Sequence, residues 1–112
     1  MPHFRFRAID AQQVKQVSTP LVDALAELMN SPRAHFTIEH IPAQFFAEGE
    51  DFAAYPFVEV LYFDRGQDVQ DEIARRVTQL VRDVMEKPEQ DVAVIFTKLT
   101  PSDYYDNGRH YG

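Results

Sequence analysis

The feature that most restricts the fold of this chain is an internal duplication. The segment Phe4–Ile9 alternates in character, with Phe4, Phe6 and Ala8 toward one side and Arg5, Arg7 and Ile9 toward the other, which predicts a β-strand. Asp10 follows as a predicted N-cap, with Gln13 three residues later in the capping-box position. Val14, Val17, Leu21, Leu25 and Leu28 then recur at helical spacing to about Asn30, where Asn30-Ser31-Pro32 stops the helix. HFTIEHI predicts a second strand, with Phe36, Ile38 and His40 on one face. The second half repeats the plan. PFVEVLYF is a strand, FDRGQD a turn, Asp68 a cap, and Val69, Ile73, Val77, Leu80 and Val84 a helical stripe. Lys87-Pro88 stops that helix and DVAVIFT is the last strand. A shift of about 54–56 positions lays Pro2 on Pro56, Phe4 on Val58, Asp10 on Asp64, Leu25 on Leu80 and Pro32 on Pro88. Each half is therefore a β-α-β unit, which requires parallel outer strands. One residue opposes the pattern. Pro20 falls inside the first helix, where it removes a hydrogen bond at a cost of roughly 3 kcal/mol, and predicts a kink or a late helix start.

At 112 residues the chain is read as one domain, with repeats at about 2–41 and 56–98 joined by a linker at 42–55. Its formal net charge is −7 and it has no basic run, which argues against nucleic acid or an anionic membrane as partner. The absence of cysteine excludes disulfides, thiol catalysis and cysteine-ligated zinc. His35 and His40 lie five apart on one strand and face opposite ways, and His3 and His110 have no carboxylate at ligand spacing, so no metal site is expected. Neither a signal peptide nor a long apolar run is evident, and the default expectation is a cytoplasmic protein. The order of elements fits two α+β architectures: a ferredoxin-like sandwich, or two β-α-β units side by side in one sheet with both helices on one face. The polar residues Arg5, Arg7, Thr37, Glu39 and Glu59 share the face away from the helices and lean toward the second, in which subunits close their sheets around a wet channel.

The MPHF start, the tandem β-α-β units and the ending VAVIFTKLTPSDYYDNG resemble the tautomerase superfamily, which includes 4-oxalocrotonate tautomerase, 5-carboxymethyl-2-hydroxymuconate isomerase and macrophage migration inhibitory factor. The stretch YPFVEVLYFDRGQDVQDEIA and the YY-x-NG ending resemble more closely an uncharacterised bacterial family within it. The resemblance covers essentially the whole chain and implies a homotrimer. It extends to the linker IPAQFFAEGEDFAAYP, whose counterpart in the inhibitory factor forms an extra strand on a neighbouring subunit. It also implies that Pro2 is the catalytic proline, free as a secondary amine once Met1 is removed. Pro56 matches it in the repeat, but its nitrogen is an internal amide and cannot act as a base. Arg65 lies in the turn where 4-oxalocrotonate tautomerase has a substrate-binding arginine, offset by about one residue, and Tyr104 falls near that enzyme's active-site phenylalanine. Two positions depart from the pattern. Ala93 replaces an arginine of the last strand, with Thr37 its counterpart in the first half, and Ser31 stands at the inhibitory factor's lysine with Arg33 nearby.

Keto–enol tautomerisation requires a group that takes a proton and returns it elsewhere, together with stabilisation of the enolate oxygen. A secondary amine whose pKa is lowered by an apolar pocket and nearby cations meets the first need without any cofactor. Phe4, Phe6, Phe45, Phe46 and Tyr104 are available as apolar walls, and Arg33 and Arg65 as cations that can hold a carboxylate. The expected activity is a cofactor-independent tautomerase or isomerase acting on a small 2-oxo or enol acid. The competing reading is a trimeric binding protein that kept the fold and lost the activity, which the missing strand arginine favours.

Overall fold

The computed structural model describes residues 1–112. Four strands form one mixed sheet: β1 (His3–Arg7), β2 (Thr37–His40), β5 (Phe57–Tyr62) and β6 (Ala93–Lys98), in the order β2-β1-β5-β6. β1 runs parallel to β2 and β5 parallel to β6, while β1 and β5 meet antiparallel in the centre. The crossover helices α1 (Ala11–Leu25) and α2 (Gln67–Met85) pack side by side on one face. The duplication extends to single hydrogen bonds. The Thr37 amide donates to the Pro2 carbonyl and the Ala93 amide to the Pro56 carbonyl, each at 3.0 Å.

The core lies between sheet and helices. Phe4, Phe6, Val58, Val60 and Tyr62 point from the strands onto Val17, Leu21 and Leu25 of α1 and Ile73, Val77 and Val81 of α2, and each is at most 1% exposed. Their spacing refines the repeat. The strands superpose with the shift that takes Phe4 to Val58, but the buried helix positions pair Val17 with Ile73, Leu21 with Val77 and Leu25 with Val81 rather than Leu80. The two additional residues are taken up after β5, which continues to Tyr62 before the turn.

Several local details differ from the sequence pattern, each for a physical reason. β1 ends at Arg7 because Ala8 adopts a left-handed conformation (φ 59°), and this turn swings Ile9 into the core instead of onto the outer face. α1 runs through Pro20, an exposed position, and ends at Leu25, after which Leu28 and Met29 still pack on the core from a series of turns. Asp10 sits at the N-cap without a side-chain capping bond. The N-cap of α2 is Gly66 rather than Asp68, which lies in the first turn. Gly66 holds φ 91°, a conformation that favours glycine, and its amide donates to Asp64 Oδ1 at 2.9 Å.

The linker forms a hairpin of β3 (Phe45–Ala47) and β4 (Glu50–Phe52), turning at Glu48-Gly49 with both residues at positive φ. A second small hairpin, β7 (Tyr105–Asp106) and β8 (Arg109–His110), turns the same way at Asn107-Gly108. On the face away from the helices, Arg5 pairs with Glu39 at 2.8 Å and Glu59 at 3.3 Å, and Arg7 lies 3.9 Å from Glu59. No helix is long and apolar enough to cross a membrane. Leu21 is fully buried between the layers, so Leu21→Ala should lower the unfolding free energy by about 2–5 kcal/mol in urea denaturation.

Candidate active site

β1 is an interior strand that begins two residues from the chain start, so the topology carries the N-terminus to the middle of one end of the sheet. Pro2 is buried there, and its missing N–H costs nothing at a strand start. Around it gather residues from four separate parts of the chain. His3 follows on β1, and Thr37 is its register partner on β2. Phe63 and Arg65 come from the turn after β5, and Tyr104, Asp106 and Tyr111 from the C-terminal segment.

These groups are tied to one another. Tyr104 stacks on His3, with ring centroids 5.7 Å apart and an interplanar angle of 14°, and its hydroxyl lies 2.8 Å from His3 Nε2. His3 Nδ1 meets the Thr37 hydroxyl at 2.5 Å. Phe63 and Tyr111 close around Tyr104, at centroid distances of 5.6 and 5.1 Å. Tyr111 hydrogen-bonds Asp106 through its hydroxyl, and its backbone amide reaches the Pro101 and Tyr104 carbonyls at 3.0 and 3.2 Å. Arg65 is anchored by Nε, which donates to the Met29 carbonyl at 2.9 Å. Only one of its N–H groups is committed in that bond, and the side chain is exposed.

The electrostatics of the corner favour neutral groups. Burial, and next the Arg65 guanidinium, hold the Met1 α-amine below its ordinary value, with Asp106 pulling the other way. Burial and then the positive chain start lower His3, against Glu39 and Asp106. Burial, and then Asp106, raise the Tyr104 phenol. The Tyr111 phenol is raised mainly by its bond to Asp106. The half-buried Met1 amine, within the field of a guanidinium, is thus less readily protonated than a free chain start.

Three of the four residues predicted for the site converge here. Pro2 and Tyr104 both adjoin His3, in sequence and by hydrogen bond respectively, and Arg65 acts on the chain-start amine. Arg33 does not join them. It stands in the short turn Arg33–His35, exposed, with its guanidinium 2.8 Å from Asp23 of α1. The apolar walls also differ from expectation. Phe4 and Phe6 are fully buried in the core, and Phe45 and Phe46 sit on the linker hairpin. Phe63 and Tyr111 stand beside Tyr104 instead. His3, Thr37 and Asp106 were invisible as a group because His3 lies 34 residues from Thr37 and more distant still from Asp106 along the chain. Only their common place on the polar face of paired strands hinted at the contact between His3 and Thr37. A separate open groove lies at the opposite end of β1, lined in part by Asp10, His40, Phe45, Phe52 and Lys87, and none of the four predicted residues reaches it.

A family model described as a domain of unknown function, DUF1904, matches residues 1–110. The chain belongs to the DUF1904 family. A DUF1904 crystal structure from Sebaldella termitidis ATCC 33386 is 31% identical, with a TM-score of 0.90 over 99% of this chain and 100% of that one. A protein of unknown function from Vibrio cholerae O1 biovar eltor is 40% identical, with a TM-score of 0.87 over 98% and 87%. A fused 4-OT, described as an asymmetric trimer, is only 14% identical but reaches a TM-score of 0.80 over 97% and 95%. No curated protein matches the chain in sequence. This DUF1904 protein therefore has the tautomerase-superfamily fold, the second of the two architectures that fit its order of elements, with sheet order β2-β1-β5-β6 and both helices on one face.

The lowered pKa of His3 has a consequence for stability. The unfolded chain takes up a proton at this residue at higher pH than the folded chain does. The stability it contributes is therefore present above about pH 6.5 and is lost as pH falls through the folded value. His3→Gln should flatten the fall in the urea midpoint that wild-type protein shows below about pH 6.5, measured by denaturation across pH.

Proposed function

We propose that this protein is a cofactor-independent tautomerase or isomerase for a small 2-oxo or enol acid, acting as one domain within a cytoplasmic homotrimer. The observation that carries the reading is buried Pro2 next to the aromatic corner of His3, Tyr104 and Phe63, on a tautomerase-superfamily fold, and the field of Arg65 at the chain-start amine supports it. Excision of Met1 moves that amine onto Pro2, whose ring is already buried. Neutral Pro2 takes the proton from C3 of a 2-oxo acid and delivers it to the C2 oxygen to give the enol, and in ketonisation it carries the enol proton from that oxygen to C3. Arg65 holds the substrate carboxylate through the N–H groups left free by its bond to Met29, and Tyr104 contacts the bound acid. Arg33, paired with Asp23 on the surface, has no part in this reading. The trimer is supported by the fused 4-OT trimer and by apolar side chains left exposed on the single chain: Phe46 at 64%, Tyr105 at 59%, Phe52 and Tyr55 at 52% and Ile95 at 45%.

Ketonisation of phenylenolpyruvate, followed by absorbance, tests the reading. Protein shown by intact mass to begin at Pro2 should accelerate the reaction, and protein extended upstream of Met1 should not. Pro2→Ala should abolish the rate, and Arg65→Ala should lower kcat/KM by about 10- to 100-fold, the range for losing a charged hydrogen bond. Equal rates from the free and extended proteins would exclude the amine as base. No rate from a confirmed free Pro2 would favour a binding protein that retained the fold.

A further inference from the structure

The hydrogen-bonded row Thr37–His3–Tyr104 is not absorbed by a base and a carboxylate clamp. Its geometry is restrictive. His3 is bonded at both ring nitrogens, Nδ1 to Thr37 and Nε2 to Tyr104. A neutral imidazole has one donor and one acceptor nitrogen, so its two partners must differ in role. When Thr37 donates to Nδ1, Nε2–H donates to the Tyr104 oxygen, and the phenol's own proton remains free for a third group. When His3 is instead donated to by Tyr104, that proton is consumed and only the phenol's lone pairs remain free. The tautomer of His3 therefore decides whether Tyr104 presents a donor or an acceptor to whatever lies beside it. Tyr104 stacks on His3 and meets Phe63 and Tyr111 edge-on, packing that holds its ring where the hydroxyl bonds His3.

We propose that Tyr104 is the oxyanion donor of the site, giving its hydroxyl hydrogen bond to the C2 oxygen of the bound acid, and that His3 is the positioning residue that keeps the phenol in its donor state. The inference rests on the tautomerase reading and deepens it by assigning the group that stabilises the enolate. No covalent step is added. As Pro2 takes the C3 proton, the C–H electron pair becomes the C2–C3 double bond and the carbonyl π electrons move onto the oxygen. The hydrogen bond from Tyr104 strengthens as that charge develops. Its donor power is set through the chain Thr37 Oγ1–H to His3 Nδ1 and His3 Nε2–H to the Tyr104 oxygen, each bond polarising the next. The charges that bear on this chain are the chain-start amine, Glu39 and Asp106 on His3, and Asp106 on Tyr104.

The test is a double-mutant cycle on protein beginning at Pro2, paired with a binding measurement that does not depend on turnover. Tyr104→Phe should lower kcat for phenylenolpyruvate ketonisation by about 100-fold with little change in KM, the low end for loss of one oxyanion donor. His3→Gln should lower kcat by about tenfold, and the double variant should be no slower than Tyr104→Phe alone, because His3 acts only through the phenol. Oxalate, a planar mimic of the enolate of a 2-oxo acid, should shift the side-chain 15N resonances of His3 in wild-type protein, and Tyr104→Phe should abolish that shift. Losses that multiply in the double variant would overturn the positioning role. If no variant turns over, an oxalate shift that needs Tyr104 would sustain the oxyanion site while the tautomerase reading fails. The absence of both turnover and that shift would overturn the proposal.

Discussion

The rest of the molecule depends on the antiparallel pairing of β1 with β5 at the centre of the sheet. Each strand is also the first strand of its own β-α-β unit, so this one pairing joins the two repeats and fixes their pseudo-symmetry. It also makes a chain terminus an interior feature. Four of the five residues of β1, His3–Phe6, are held on both edges, by β2 and β5, and Pro2 before them is tied to β2 through its carbonyl. A proline is tolerated there because its carbonyl, and not its nitrogen, makes the bond to Thr37. The same bond made by Pro56 in the second repeat is purely structural, since that nitrogen lies within the chain. Duplication thus produced two equivalent backbone positions, and only one of them can carry a free amine.

What surrounds that amine follows from the same topology. β5 runs antiparallel to β1, so its end, with Phe63 and Arg65 beyond it, arrives beside the start of β1. The chain leaves β6 next to the end of β5, and the segment after it brings Tyr104, Asp106 and Tyr111 back across that end. The corner is therefore assembled by strand direction. Its charges are balanced: Arg65 favours a neutral amine, and Asp106 opposes it.

Most of the fold was legible in the sequence because it is written twice. Period-two and helical spacings each recur in both halves and fix two β-α-β units with parallel outer strands, while the choice between the two architectures that share this order came from the whole-chain resemblance. Details set by single backbone conformations were not legible. Alternation along Phe4–Ile9 places Ile9 on the outer face, but the left-handed turn at Ala8 returns it to the core. Propensity favours Asp68 as a helix cap, yet the chain turns at Gly66 with Asp64 bonding its amide. Pro20 lies on the exposed side of α1, and the helix passes through it. For the proposed site, resemblance pointed to Pro2, Arg65 and Tyr104, which a strand start and two connections bring to one corner. It could not supply His3, Thr37 and Asp106, whose meaning lies in contacts between distant segments. Arg33 was proposed from its nearness to a family position, and it is held on α1 by Asp23.

The central claim is that this corner converts a chain-start proline into a base. The most direct measurement is the pKa of the Pro2 amine by 15N NMR titration, on protein that begins at Pro2. The account predicts a value below the ordinary range of a chain-terminal amine, rising when Arg65 is replaced by alanine and falling further in Asp106→Asn. A Pro2 amine that titrates at its ordinary value, and that neither substitution moves, would contradict it.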